Sequence, residues 1–486
     1  MINIYQRNLL IFSFFIILTC LSIFISNNIP VTKTIFIFFS IISNILFLSI
    51  FSIKTTIFEK ILISYLWLGF WYKISMNYLI GIFEENYLYD ISLSGKFIAS
   101  INSFDEVFLI ASVGLLGLLS AIVIRNIFFK QISFSLSIDL LPLKNLYMKN
   151  KFIIISSFLL VLFFICFSNS HYVFYQKGIS AEHDLFFPLA AFLKWFLLYG
   201  SLLIVSVIIY FETLSKRKFI LWPFILLLLN LYLINLSLLS RSMPINAFIF
   251  FLAAYFFLKF NNIYLNRFNL FISFIVIIFL SFASIAHINY ERAIAYNEIN
   301  TGKKNMIYDH TAITNKSLTR TIINMSKPLF INRWVGIESV MAVQAYERKG
   351  FDLYLKLLDE KPGQNIQSYF DKNIINKYSQ ENFNKYNFNS SPGIIAFLYY
   401  SGSYLFLYLV MILITLLGSF LSFASYKLSG SNLLFMAIIA NTIAYRLISF
   451  GFAPFQQHYY FLSILLSIII LPVLLFLANC FRYNTK

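Results

Sequence analysis

Charge is scarce in this chain. Of its 486 residues only 12 % are Asp, Glu, Lys or Arg, about half the roughly 25 % of an average soluble domain. That density cannot coat a globular surface of this size, and the mean hydropathy of +0.78 requires much of the surface to face lipid. A soluble enzyme and a disordered tail are excluded. Cysteine is scarce too. Cys20, Cys166 and Cys480 each lie inside an apolar run, which gives neither a disulfide framework nor a metal-ligand spacing. There is no Walker loop, no H-E-x-x-H and no G-x-S-x-G. The acids do not pair in a recognisable spacing. No internal repeat supports an inverted-repeat transporter.

What is present is apolar length. Hydrophobic residues make up 59 % of the chain and aromatics 19 %. The 58 Phe, with abundant Ile, Asn, Lys and Tyr, match an AT-rich genome, so a single Phe carries little functional information. A membrane span needs about 20 mainly apolar residues. Twelve stretches qualify: 8–26, 34–53, 61–82, 107–129, 152–169, 186–211, 219–239, 244–260, 268–288, 402–424, 432–450 and 459–481. The expected fold class is therefore an all-α polytopic integral membrane protein of about 12 transmembrane helices, with one large outer loop carrying short helices. Its regions are a nine-span part (1–288), the loop (289–392) and a three-span part (393–486), together one membrane domain. The first span reads as retained. It is too long for a signal-peptide h-region and lacks a small-x-small cleavage site, and apolar residues continue past Cys20 as in no lipoprotein. The stretch 393–401 reads as a re-entrant lead-in to the tenth span.

Basic residues set the orientation. With the N-terminus in the cytoplasm, the inner segments and inner span ends hold Arg7, Lys54, Lys60, Arg125, Lys130, Lys144, Lys149, Lys151, Lys216, Arg217, Lys218, Lys259, Arg267, Lys427, Arg482 and Lys486. The short outer segments hold only Lys33, Lys96, Lys177 and Arg241. This 16 to 4 split puts both termini inside and residues 289–392 outside. The net charge of +17 is thus a topology signal. Scattered over many inner loops, it does not point to nucleic acid.

Chemistry-bearing residues gather on the outer side. All five histidines, His171, His183, His287, His310 and His458, fall there. The 289–392 loop carries 14 basic and 10 acidic residues. Trp334, Ile337 and Met341 stand at helical spacing, with Asn332 as the expected N-cap. A second helix is expected over Asp352–Leu358, broken at Lys361-Pro362-Gly363, and the chain turns back at Ser391-Pro392-Gly393. Charges inside spans are functional hypotheses by default. Lys73 lies near mid-membrane, Lys194 snorkels toward the outer surface, and Arg446 sits near the outer end of its span. Arg446 follows Asn441, Thr442 and Tyr445 and precedes a turn with Gln456, Gln457 and His458. Arg241 lies in another outer turn, between Ser240 and Ser242, and Arg292 and Arg333 lie on the loop. Arginine offers a rigid fork matched to phosphate oxygens. Several near the outer face suit a lipid-linked diphosphate, with Asn, Gln and Tyr as sugar partners.

With a dozen spans, one large outer loop two-thirds along, the block Arg333-Trp334-Val335-Gly336-Ile337-Glu338 and the turn Ser391-Pro392-Gly393, the whole chain resembles bacterial O-antigen polymerases, the oligosaccharide repeat-unit polymerases. The O-antigen ligases share that architecture. The resemblance implies a glycan carried on undecaprenyl diphosphate at the periplasmic face of the inner membrane. That glycan would pass to a sugar hydroxyl of an incoming lipid-linked repeat unit. Arg241, Arg292, Arg333 and Arg446, with Lys73, would hold substrate and the leaving diphosphate. His458, Glu338 or His287 would take the acceptor proton. No metal and no other cofactor is expected. The partners would be the lipid-linked glycan, membrane lipid and a chain-length regulator. The rivals are a ligase that sends the same donor glycan to lipid A core, a flippase or other polysaccharide transporter, and an assembly subunit without an active site.

Overall fold

The computed structural model describes residues 4–27, 29–52, 54–81, 93–128, 139–177, 183, 185–217, 220–263, 267–300, 331–361, 368–375 and 390–483. Helices account for the regular structure of these residues, and no strand occurs among them. In chain order they are α1 (Ile4–Ser26), α2 (Lys33–Ser49), α3 (Ile57–Trp67), α4 (Lys73–Gly81), α5 (Ile101–Phe128), α6 (Leu141–Lys149), α7 (Lys151–Tyr172), α8 (Phe187–Trp195), α9 (Ser201–Lys216), α10 (Leu221–Ser237), α11 (Met243–Phe260), α12 (Arg267–Asn300), α13 (Ile337–Gln344), α14 (Phe351–Leu358), α15 (Gly393–Leu398), α16 (Tyr404–Leu428), α17 (Leu433–Ile448) and α18 (Pro454–Tyr483). Two π-turns join pairs of these without a break. Leu68–Tyr72 links α3 to α4, and Phe196–Gly200 links α8 to α9.

Each of the twelve apolar stretches coincides with one helix or one such fused pair. Among the described residues, six helices are long and apolar enough to cross a membrane, and five more apolar helices are shorter. The fused pair over 57–81 carries Lys73 about two-thirds of the way along, at the start of α4. α12 continues to Asn300, so the boundary expected at residue 288 falls inside a helix. Large exposed apolar side chains such as Phe152, Phe164, Phe279 and Phe476 lie on α7, α12 and α18. Within the bundle α16 packs on α3, α5 and α17, and α17 packs on α3.

Contacts sort the connections to two ends. At one end Thr32 donates to Asp105 (2.5 Å), Lys177 N–H to the Leu238 carbonyl (3.0 Å) and Gly393 N–H to the Phe450 carbonyl (2.9 Å). At the other, the Arg125 guanidinium grips both oxygens of the buried Glu59 carboxylate (2.6 and 2.9 Å). Glu59 is also the N3 residue of a capping box with Thr56 that starts α3, which satisfies two orphan N–H groups. Buried Glu212 takes Lys151 at 2.6 Å and the Tyr147 hydroxyl at 3.0 Å. The described parts of the large loop lie at the first end. α14 agrees with the sequence expectation to within one residue. α13 starts later than the spacing suggested. Asn332, Arg333 and Trp334 form a turn, and Gly336 precedes the first helical residue, Ile337. The stretch 393–401 is a buried short helix, α15, running into a 3-10 turn at Tyr399–Ser401.

Candidate functional site

A cavity of about 310 Å³ opens at the loop-bearing end. Its floor is apolar, from Leu197, Leu198 and Leu202 on the α8–α9 pair, Leu231 and Ile234 on α10, and Ile245 on α11. Its upper wall is polar. Asn441, Thr442, Tyr445, Arg446 and Ser449 come from α17, Gln457 and Tyr460 from α18, Asn246 from α11, Tyr65 from α3, and Tyr175 and Lys177 from the connection after α7. Among the described residues two cations line this space, and no carboxylate does. Ligand sites commonly have this make-up, a mainly apolar pocket with a few convergent polar groups.

The chain builds the polar wall with local devices. After α7, Val173 adopts φ 49°, a costly conformation for a β-branched residue. Buried Asn169 holds the chain there, accepting from Tyr175 N–H (2.8 Å) and donating to the Tyr175 carbonyl (3.0 Å) and to Ser237 Oγ (2.9 Å). Tyr175 and Lys177 are thereby fixed over the cavity, and Lys177 Nζ donates to Ser240 Oγ (2.8 Å). Across the space, the Arg446 guanidinium lies 3.8 Å from the centre of the Tyr460 ring, a cation–π contact. Its buried Nε has no hydrogen-bond partner. Gln457 donates to the Phe452 carbonyl at 3.4 Å, while its buried Oε1 has no partner. A chain of side chains completes the wall, with the Tyr65 hydroxyl donating to Asn441 (2.9 Å) and Asn441 to Asn246 (3.0 Å). Unpartnered polar atoms beside a cavity are costly unless something fills them.

The residues singled out from sequence fall into three groups. Arg446 lines the cavity. Arg241 and Arg333 meet beside it, where the Arg333 guanidinium donates to the Arg241 carbonyl, next to cavity-lining Ser242. Lys73 and Glu338 are brought together elsewhere. Lys73 Nζ stands 2.7 Å from Glu338 Oε2, with both side chains almost fully buried, and donates to the Trp334 carbonyl at 2.8 Å. This pair holds α13 into the bundle. Beside it the backbones nearly touch, since a Cβ on Gly336 would lie 2.0 Å from the Gly69 carbonyl oxygen.

His287 is exposed on α12, 3.7 Å from Glu291 one turn on, and His458 is exposed with its ring 6.0 Å from Phe455. Neither lines the cavity. Lys194 reaches the Tyr175 ring at 5.4 Å, a third cation near the polar wall. The Arg292 side chain and His310 lie outside the described residues.

Sequence reasoning missed Lys177, Tyr65 and Asn246 as wall residues. They come from three distant segments, and only helix packing joins them. It also missed Glu59 and Glu212. A single Glu at a helix end reads as an ordinary surface charge until its buried partner is seen. Among the described residues no group of three or more His, Cys, Asp or Glu side chains is close enough to hold a metal ion. No protein-family model matches this chain, and no curated protein or solved structure matches it either.

Proposed function

We propose that this chain is a bacterial inner-membrane polymerase that joins oligosaccharide repeat units carried on undecaprenyl diphosphate, working at the periplasmic face. In this reading all twelve apolar helical stretches span the membrane, both termini are cytoplasmic and the 289–392 loop is periplasmic. The observation that carries the proposal is the cavity itself. It sets Arg446 and Lys177 above an apolar floor, with no carboxylate among the described lining residues.

A diphosphate needs cations at headgroup depth, and its lipid tail needs apolar surface below them. The polar wall supplies the first and the Leu-rich floor the second. In the reaction an acceptor sugar hydroxyl attacks the anomeric carbon of the donor glycan. The bond from that carbon to the diphosphate oxygen breaks, the electron pair leaves with the diphosphate, and the hydroxyl proton passes to an oxygen of the departing diphosphate. Positive groups fixed where this negative charge develops lower the barrier. Tyr175, Tyr445 and Tyr460 offer ring faces, and Asn246, Asn441 and Gln457 offer hydrogen bonds, to the sugars beside it.

The test is transfer in vitro. Purified protein in nanodiscs receives lipid-linked repeat units, and the products are resolved by size. A ladder of lipid-linked multimers is expected. Transfer only when lipid A core is added would make the protein a ligase, and no transfer with either acceptor would sink the proposal.

A further inference from the structure

Helix α14 exposes two large apolar side chains one turn apart, Phe351 at 49 % and Leu355 at 56 %. Its other side is held. Leu357 is buried, and Tyr354 packs edge-on against Phe397 and Phe406, with ring centres 5.7 and 5.0 Å away. Both ends are tied down. Gly350 N–H donates to the Tyr400 carbonyl at 2.8 Å, and the Glu360 carbonyl accepts from Phe455 N–H at 3.4 Å. The exposed pair is therefore presented by a fixed helix.

The neighbour of this pair identifies what covers it. The Phe351 ring lies 5.1 Å from Phe406 in the first turn of α16. Beside Phe406, Leu405 begins a row of exposed leucines at four-residue spacing, Leu405, Leu409, Leu413 and Leu417. Such a row along a membrane helix faces acyl chains. α16 has 25 residues, about 37 Å at 1.5 Å per residue, against a hydrocarbon core of about 30 Å. Its first turn therefore reaches the boundary between acyl chains and headgroups, and Phe351 and Leu355 continue the apolar row at that level. Asp352 and Lys356 are exposed on the same helix and Asp359 just past its end, a mixed set with no strong attraction to one sign of headgroup.

We infer that α14 is an interfacial helix, with Phe351 and Leu355 inserted among the lipids of the leaflet at the loop-bearing end. Helices of this kind sink an apolar face about 5–10 Å into that boundary. The inference needs only the membrane placement of the bundle, and it stands or falls apart from the glycan chemistry. It makes the outer loop partly a membrane-bound structure, anchored beside the cavity's α17 and α18 walls.

The experiment places spin labels on the full chain in nanodiscs. Cys20, Cys166 and Cys480 are replaced by Ala, and single labels are attached through Leu355→Cys, Leu413→Cys and Asp359→Cys. Collision rates with oxygen and with a water-soluble nickel chelate are compared. The label at 355 should favour oxygen over nickel several-fold more than the label at 359 does, approaching the lipid-facing label at 413. A label at 355 as open to nickel as that at 359 would place the helix in water. A label shielded from both reagents would mean that protein covers it. Either result overturns the inference. Should the cysteine-free chain not fold, Phe351→Trp in the native background gives the same reading. Bromine-labelled phospholipids should quench its added fluorescence, and absence of that quenching counts against lipid contact.

Discussion

Lys73 Nζ and Glu338 Oε2 stand 2.7 Å apart in a site almost closed to solvent. One belongs to the helix over 57–81 and the other to the large loop. Two residues that sequence offered separately for substrate chemistry are each other's counter-ion, and Lys73 also holds the Trp334 carbonyl.

Removing one member should hurt far more than removing both. Breaking a buried pair leaves an uncompensated charge, at a cost of about 3–5 kcal/mol, whereas apolar replacement of both is often near neutral. Lys73→Met or Glu338→Leu alone should lower the thermal midpoint in detergent sharply. The double variant should recover most of the loss. Equal midpoints for wild type and both single variants would remove the pair from any structural role.

The backbone approach beside the pair is equally demanding. A Cβ on Gly69 would sit 2.1 Å from the Val335 carbonyl oxygen, and one on Gly336 2.0 Å from that of Gly69. Gly69→Ala and Gly336→Ala should each destabilise by about 1–3 kcal/mol or more, as overpacking does. Gly350→Ala is the control, since no atom lies within 4 Å of its added Cβ. It should stay within about 1 kcal/mol, the scale of an N-cap change. Denaturation curves of the three variants decide the matter.

At the cavity, the stacked guanidinium separates Arg446 from a simple positive charge. Arg446→Lys keeps the charge but loses the planar contact with Tyr460 and the fork. Transfer of lipid-linked glycan should fall at least tenfold, which corresponds to about 1.4 kcal/mol in the transition state. His458→Gln should retain near wild-type transfer across pH, because the exposed ring lies away from the cavity. The reverse pattern would move the reaction centre from α17 to the α18 surface.

Much of this was legible from the chain. The positions of all twelve apolar helical stretches followed from apolar length, and α14 from amphipathic spacing. Arg446 stood out because a cation inside an apolar run is expensive. The start of α13 was not legible. Asn332 looks like a cap by residue type, yet the chain must first pass Gly336 against Gly69, and that constraint comes from a residue far away in sequence. The partners of Glu59, Glu212 and Lys73 were hidden for the same reason. Spacing along one helix reports its faces and says nothing of the helix each face will meet. The two π-turns carry no residue signature at all.

Acid should affect the loop through Glu360. Burial pushes its carboxyl above the usual carboxylate range, nearby Asp371 adds to this, and the Tyr369 N–H at 2.6 Å opposes it. A carboxyl whose folded pKa is raised binds its proton more readily in the folded state. Its contribution is then fully present below the unfolded pKa and is lost as pH rises through the folded one. Glu360→Gln, which keeps an acceptor for Tyr369, should therefore be more stable than wild type at pH 7. The gap in thermal midpoint should close as pH falls toward 4. A gap that widens on acidification would reverse the sign of this argument.

Topology can be checked in cells. Alkaline phosphatase fused near residue 350 should be active, and fused at residue 486 inactive. Activity at 486 would invert the orientation drawn from the basic residues.

The Lys73 pair also sets a timetable for making the protein. Trp334, whose carbonyl Lys73 holds, follows it by 261 positions. At 5–20 residues per second of synthesis, that gap lasts roughly 10–50 s. For that interval Lys73 is already in place within the nascent helices while its counter-ion has not been made. A lone ammonium destined for a buried site must stay hydrated or be sheltered until its partner arrives. Nine of the twelve apolar stretches precede Trp334 in the chain, so they leave the ribosome as an unfinished assembly with an open polar seam. Closure of that seam waits for the incoming loop, so a chain truncated before Glu338 leaves Lys73 without this counter-ion.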